Sequence, residues 1–257
     1  MNIASLSGGL DSSIMWLFLT GYLKGAPRTE NIMGVFTDPG REDDRTYQML
    51  DTIEAMGGRP IVRIQGPTWE QALEANAWFL PYRRARWCTP TFKIRPLEAF
   101  IQNETVSSYI GLRADEQERT GYLGDKGTNI TPRYILREMG ITRADIESEA
   151  RRIGLPPAGQ WSCDCCPFKN MILWVELIEQ YPERAEWCAW VEEEKERRGA
   201  GSYGWIKGYK IRQLIDNHIT RAEIRSRWNA KHSTNEQLSL FDDDIEDNSP
   251  CLMCRVK

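Results

Sequence analysis

Ser7-Gly8-Gly9-Leu10-Asp11-Ser12-Ser13 lies between a short run, Asn2–Leu6, and a largely apolar stretch, Ile14–Leu23. Strand, glycine turn and helix in that order offer unpaired backbone N–H groups to an anion, because the first turn of a helix leaves its N–H groups without intrahelical partners. Gly8 and Gly9 free the backbone for positive φ and for close approach to a phosphate, and Ser7, Ser12 and Ser13 add hydroxyl donors. Asp11 would repel a phosphate, unless a Mg²⁺ ion bridges its carboxylate to the phosphate oxygens. The lysine of a Walker A loop is missing. The competing reading is a plain strand-to-helix turn capped by Asp11 or Ser12.

Cysteine is the second chemistry-bearing residue type. The chain has 7, and Cys163, Cys165, Cys166, Cys251 and Cys254 crowd into two short stretches while Cys88 and Cys188 stand apart. Cys163-x-x-Cys166 and Cys251-x-x-Cys254 form a four-thiolate set shared by structural zinc sites and [4Fe–4S] clusters. Cys163-x-x-Cys166-Pro167 is expected to open a helix to about Gln180, whose dipole would favour bound thiolates. Cys188, inside Trp187-Cys188-Ala189-Trp190, reads as a packed core residue. Pro81–Thr89 combines Arg83, Arg84 and Arg86 with Tyr82 and Trp87, a composition that suits a phosphate-rich ligand as well as a solvated loop.

These groups need a scaffold. Asn2–Leu6, Asn31–Phe36, Pro60–Ile64 and Val106–Ile110 read as strands, with helices over 14–23 and 43–56 between the first three. That alternation predicts an α/β fold with an open, mostly parallel sheet and helices on both faces. Ligands of such sheets sit beyond the C-terminal strand ends, which puts Asp38 on the same rim as Asp11; Asp38-Pro39-Gly40 is also a good turn in its own right. Trp69–Phe79 reads as a short amphipathic helix, and Thr142–Arg152 as a helix with Asp145 completing a capping box. A small helical, cysteine-containing annex follows, with helices over 183–198, 208–216 and 221–228. The division expected is 1–155, 156–228 and a polar, acidic linker with its terminal cysteine pair over 229–257.

The chain of 257 residues carries a net charge of −4 and 41% hydrophobic residues, an ordinary balance without a general pull toward nucleic acid. No apolar run is long enough to span a bilayer, and the start lacks a basic stretch followed by an apolar one, so a cytoplasmic protein without a membrane partner is expected.

Ser7–Ser13 resembles the SGGxDSS pyrophosphate-binding loop of the PP-loop ATP pyrophosphatases, a superfamily that includes sulfonucleotide reductases, tRNA thiolation enzymes and DNA phosphorothioation proteins. Trp87-Cys88-Thr89-x-x-x-Lys93-Ile94-x-Pro96-Leu97 resembles an element of the sulfonucleotide reductases, with one cysteine where those relatives can carry two. Gly111–Arg119 looks like the family's G-x-R-x-x-E-S-x-x-R element, with Gln117 in place of serine. Gly154–Phe168 followed by Tyr181-Pro182-Glu183 resembles a block of the PAPS-reductase-like branch, some members of which are iron–sulfur proteins.

The resemblance implies an adenine nucleotide alpha-hydrolase-like fold and cleavage of ATP–Mg²⁺ to AMP and pyrophosphate. Ser7, Gly8, Gly9, Asp11, Ser12 and Ser13 would hold the phosphates, Asp38 would line the adenosine pocket, and Arg113 and Arg119 would face the phosphates. Lys93 would touch phosphate or sulfate, and Cys88 is a candidate persulfide carrier. For Cys163, Cys166, Cys251 and Cys254 the likeness favours a [4Fe–4S] cluster over Zn²⁺. The reductases' C-terminal Glu-Cys-Gly-(Leu/Ile)-His segment has no counterpart at Cys251–Arg255. Sulfur transfer in DNA phosphorothioation, with a cysteine desulfurase as donor, is therefore the expected activity. A sulfonucleotide reductase, a tRNA-modifying sulfurtransferase and a nucleotide-dependent interaction module are the alternatives. Gln237-Leu238-Ser239-Leu240-Phe241 looks like a pentapeptide that docks bacterial proteins on the replication sliding clamp; a short apolar patch is the other reading. The oligomeric state is left open.

Overall fold

Alternation along the strands decides the architecture of the first part of the chain. In the computed structural model, which describes residues 1–25, 29–117, 119–121, 129–158, 163–232 and 254–256, the chain divides into two compact units. Unit one comprises Met1–Gly66, Thr89–Gly159 and Cys251–Lys257; unit two comprises Pro67–Cys88 and Gln160–Pro250.

Unit one is built on β1 (Asn2–Leu6), β2 (Ile32–Asp38), β3 (Ile61–Gln65), β4 (Val106–Ile110) and β6 (Ile130–Arg133), an all-parallel sheet in the order β3-β2-β1-β4-β6. Successive side chains of a strand face opposite ways. Ala4, Leu6, Phe36, Ile61 and Tyr109 accordingly pack on α1 (Leu10–Thr20), α2 (Asp44–Gly57) and α6 (Arg143–Ile153), with Ile135 and Leu136 of the short α5 (Ile135–Glu138). On the other face Ile3, Val35, Val106 and Ile110 pack on Leu97 and Ile101 of α4 (Arg95–Ile101), which a π-helical turn, Pro90–Ile94, introduces. Both faces are covered, as a parallel sheet requires. A separate antiparallel pair joins β5 (Arg119–Gly121) to β7 (Cys254–Val256). The caps follow local chemistry. Asp43 accepts from the Arg45 N–H at the start of α2, and Thr142 with Asp145 forms the capping box of α6.

Unit two consists of α3 (Trp69–Ala75), α7 (Met171–Gln180), α8 (Pro182–Arg197), α9 (Ile211–Asp216) and α10 (His218–His232), packed around indole rings. Trp69 lies against Trp87, Trp187 and Trp205, with ring centroids 5.9, 6.1 and 6.5 Å away. Two expectations fail here for local reasons. The helix from Trp69 stops at Ala75, short of Phe79, because Ala77 and Trp78 adopt positive φ of 49° and 58°. Cys163–Phe168 does not open a helix: α7 begins only at Met171, where the Asn170 side chain accepts from the Leu173 N–H at 3.0 Å. Cys163 and Cys166 lie instead in successive turns, with Cys166 N–H donating to the Cys163 carbonyl and Lys169 N–H to that of Cys166. The helix dipole therefore does not act on their thiols. No helix among the described residues is long and apolar enough to cross a membrane.

Candidate functional site

The sheet order reverses at β1. From there the chain proceeds to β2 and β3 on one side and to β4 and β6 on the other, so the crevice past the C-terminal ends of β1 and β4 is the switch point where α/β folds bind ligands. The Ser7–Ser13 loop occupies this point, with α1 starting at Leu10.

Two glycines fit the loop between its neighbours. Gly8 has φ +71°, and a Cβ there would sit 2.5 Å from Thr46 Cγ2 of α2. A Cβ on Gly111, just past β4, would lie 3.0 Å from the Ser12 nitrogen and 3.1 Å from the Asp11 carbonyl carbon. The serines close the loop on itself. Ser12 Oγ and Ser13 Oγ both donate to the Gly9 carbonyl, at 3.1 and 2.9 Å, and Ser7 N–H donates to Ser12 Oγ. Their hydroxyls thus shape the turn, and the first-turn N–H groups of α1 are what it offers to an anion.

Asp11 and Arg113, 102 residues apart, meet here: Arg113 Nη1 donates to Asp11 Oδ2 at 2.5 Å. Arg113 Nε also donates to Asp115 Oδ1 at 2.9 Å, and Glu116 lies 3.7 Å from the guanidinium. One guanidinium therefore serves three carboxylates. Burial raises the Asp11 pKa, which Arg113 partly offsets while Glu116 adds to the rise. Burial works against the Arg113 charge, but Asp11 and Glu116 more than compensate and its pKa rises. Asp115 is held below the ordinary carboxylate range: its slight burial opposes this, and the Arg113 hydrogen bond prevails. The Asp11 side chain keeps 32% of its surface exposed, which leaves it open to a ligand.

Asp38 ends β2 on the same rim, buried, and its Oδ1 accepts from the Tyr47 hydroxyl at 2.8 Å and the Gly40 N–H at 2.7 Å. Burial and then that bond raise the Tyr47 pKa. Lys93, in the π-helical turn, donates to Glu42 Oε1 at 3.3 Å, and Glu42 is only 2% exposed. Sequence reasoning missed Tyr47, Glu42 and also Arg137, which donates to the carbonyls of Glu116 and Arg113 and fixes the turn that carries the site arginine. Only the Asp38–Tyr47 spacing, one turn followed by one turn of helix, carried a signal. Arg119 lies in β5, where its backbone pairs with Val256.

The remaining candidates fall in unit two or at the C-terminal end. Cys88 is half-buried and Cys163, Cys165, Cys166 and Cys188 are buried, all within unit two. Burial pushes the Cys165 thiol up to about 12, and the neighbouring Cys163 thiol together with burial raises that of Cys166. Cys251 and the Gln237–Phe241 pentapeptide lie outside the described residues. Cys254 is the first residue of β7, opposite Gly121 of β5. Among the described residues no group of three or more His, Cys, Asp or Glu is arranged to hold a metal ion.

Residues 1–122 match the family model described as the phosphoadenosine phosphosulfate reductase domain. An uncharacterised protein of Methanocaldococcus jannaschii is 29% identical over 229 residues, 80% of this chain, and the chain spans 44% of the length of that curated relative. Among solved structures, the phosphate complex of phosphoadenylyl-sulfate (PAPS) reductase from Candida auris is similar with a TM-score of 0.46 and 12% identity, over 61% of this chain and 74% of that one. The Ser7–Ser13 loop at the switch point lies within residues 1–122, the stretch that is similar to the phosphoadenosine phosphosulfate reductase domain.

Proposed function

We propose that unit one binds an adenine nucleotide bearing sulfate on its α-phosphate, a sulfonucleotide, and supports chemistry at the group beyond that phosphate. The observation that carries this reading is the Asp11–Arg113 pair. A carboxylate inside a phosphate loop needs a compensating cation, and Arg113 supplies it directly, in the place where sequence reasoning put Mg²⁺. The first-turn N–H groups of α1 would bind the anion, Arg113 would set its position, and Lys93, held at Glu42, would supply further positive charge to the rim. The domain matched over residues 1–122 supports the same substrate class.

Calorimetric titration with adenylyl sulfate, phosphoadenylyl sulfate and ATP, each with and without Mg²⁺, tests it. Sulfonucleotide binding that is independent of Mg²⁺ is the expected result, followed by release of sulfite with a suitable reductant. Binding of Mg²⁺–ATP alone, with pyrophosphate as product, would overturn it.

A second reading keeps ATP as substrate, split to AMP and pyrophosphate to activate an acceptor for sulfur, such as DNA. The observation in its favour is the partly exposed Asp11 carboxylate inside the phosphate loop, which a Mg²⁺ ion brought by the nucleotide would bridge to phosphate oxygens. For a [4Fe–4S] cluster, or Zn²⁺ as the alternative, the assignment of Cys163, Cys166, Cys251 and Cys254 belongs to this proposal. Cys163 and Cys166 fit as soft donors, buried with neighbouring thiols. Iron, sulfide and zinc analysis of anaerobically purified protein decides between the two.

A further inference from the structure

The residues from Phe79 to Arg86, together with Tyr203, form an exposed surface in unit two that the nucleotide site does not use. Phe79, Tyr82 and Tyr203 are 40%, 45% and 40% exposed, well above the buried indoles around them. Their rings meet edge to face, with Phe79 5.7 Å from both tyrosines. The Tyr203 hydroxyl accepts from the Leu80 N–H, which fixes that ring in place. Tyr82 and Ala85 pair through two backbone hydrogen bonds, so Arg83 and Arg84 stand at the tip of a tight turn. Arg83 and Arg86 both lie over the Phe168 ring, 5.8 and 5.3 Å from its centroid. None of the three arginines is paired with a carboxylate among the described residues, although the chain as a whole is acidic.

Three guanidinium groups without carboxylate partners among the described residues, set beside three exposed rings held at fixed angles, match a polymer of alternating phosphates and flat bases. Arginine forks bind phosphate oxygens, and exposed rings stack on bases that are not already stacked in a duplex. An acidic peptide would satisfy the arginines but leave the rings without a role. An apolar partner would leave the charges desolvated. We infer that this surface of unit two docks an unpaired stretch of nucleic acid, with Arg83, Arg84 and Arg86 on its backbone and Phe79, Tyr82 and Tyr203 against its bases. Phe168, which the arginines cover, is two residues beyond Cys166, so the bound strand would run beside the cysteine-bearing turns.

The test is fluorescence anisotropy of the full chain with a labelled single-stranded oligonucleotide of mixed sequence, across a salt series. Binding is expected at low salt and should weaken as salt rises, because phosphate contacts release counterions. An Arg83→Ala, Arg84→Ala double variant should lose about tenfold or more and reduce the slope of log K against log salt by about 1.4, at roughly 0.7 per phosphate contact on a single strand. Replacement of both by lysine should restore the slope. Tyr82→Ala should cost about tenfold at every salt concentration, as loss of one stacked base does. Titration with the adenine nucleotide runs alongside: these variants keep that affinity, so a failure of oligonucleotide docking is distinguishable from a failure of the nucleotide reading. No binding at low salt would overturn the inference, and so would binding indifferent to Arg83 and Arg84. A duplex bound as tightly as the single strand, with Tyr82→Ala without effect, would overturn the assignment of the rings to bases.

Discussion

The two units are held together by different means. Of the 10 tryptophans in the chain, Trp16 alone falls at a position of unit one, which leaves nine in unit two. Unit one takes its order from a backbone ladder: five parallel strands in register, with apolar side chains sent alternately to two helical layers. Unit two, among its described residues, has helices and isolated bridges, and its core is organised by ring-on-ring contacts centred on Trp69. A ladder sets strand ends by main-chain geometry, so residues as distant as Asp11 and Arg113 are delivered to one rim largely regardless of side-chain detail. A core of stacked rings has no such frame. Its surface geometry depends on each ring being present.

The sharpest way to break this contrast is Trp69→Ala. Trp69 is 3% exposed and touches three other indoles, so its removal should destabilise unit two by about 3–5 kcal/mol, the usual cost of emptying a large aromatic site. Urea denaturation followed by far-ultraviolet circular dichroism measures it. A loss below about 1 kcal/mol, the scale of a single minor contact, would mean that the rings are not what organises the unit.

In unit one the corresponding damage falls on function before stability. Arg113→Met leaves Asp11, Asp115 and Glu116 facing one another without their shared cation. Loss of charge-assisted bonds of this kind is worth about 2–3 kcal/mol, so nucleotide affinity should fall roughly 30- to 150-fold in titration calorimetry. Gly8→Ala comes next. It forces a side chain onto a residue at φ +71° and drives its Cβ to 2.5 Å from Thr46 Cγ2, with the Thr46 carbonyl oxygen at 3.1 Å. The expected stability loss is about 1–2 kcal/mol, read as a lowered Tm, together with weakened nucleotide binding. Unchanged affinity in both variants would move the site away from the Ser7–Ser13 loop.

This contrast also explains what could be read in advance. The β1, β2, β3 and β4 strands were legible because short apolar runs bounded by turn residues leave local marks in sequence, and the glycine turn of the Ser7–Ser13 loop leaves one too. Arg113 was reached only through the likeness of Gly111–Arg119 to a family element. Tyr47, Glu42 and Arg137 were not legible, since each acts through a partner chosen by the fold: Asp38, Lys93, and the carbonyls of Arg113 and Glu116. Expecting a helix at Cys163 failed for a different reason. A Cys-Pro pair before an apolar run looks like a helix start, yet Asn170, seven residues on, holds the cap. The assignment of Pro67–Cys88 to unit two was invisible, because the contacts between Trp69 and Trp187 or Trp205 span more than a hundred residues.

The smallest effect is expected where unit two relies on surface charge rather than on rings. Glu194 of α8 accepts from Arg197 and Arg198, at 2.6 Å each, and these hydrogen bonds hold its carboxyl down to about 2, from an ordinary value of 4.5. A carboxylate whose folded pKa is depressed stabilises the fold above its unfolded pKa, and that contribution is lost as pH falls. The window is therefore from about 4.5 down to about 2. Arg197 and Arg198 stand in solvent, 70% and 38% exposed, so water and salt screen the interaction and its contribution at neutral pH is small. Glu194→Gln should lower the Tm slightly at pH 7 in low salt, and the gap to the unmodified chain should close on acidification through that window and on addition of salt. A gap that persists at low pH would point to packing of the side chain. A gap as large as that of Trp69→Ala would show that charge, and not the stacked rings, carries unit two.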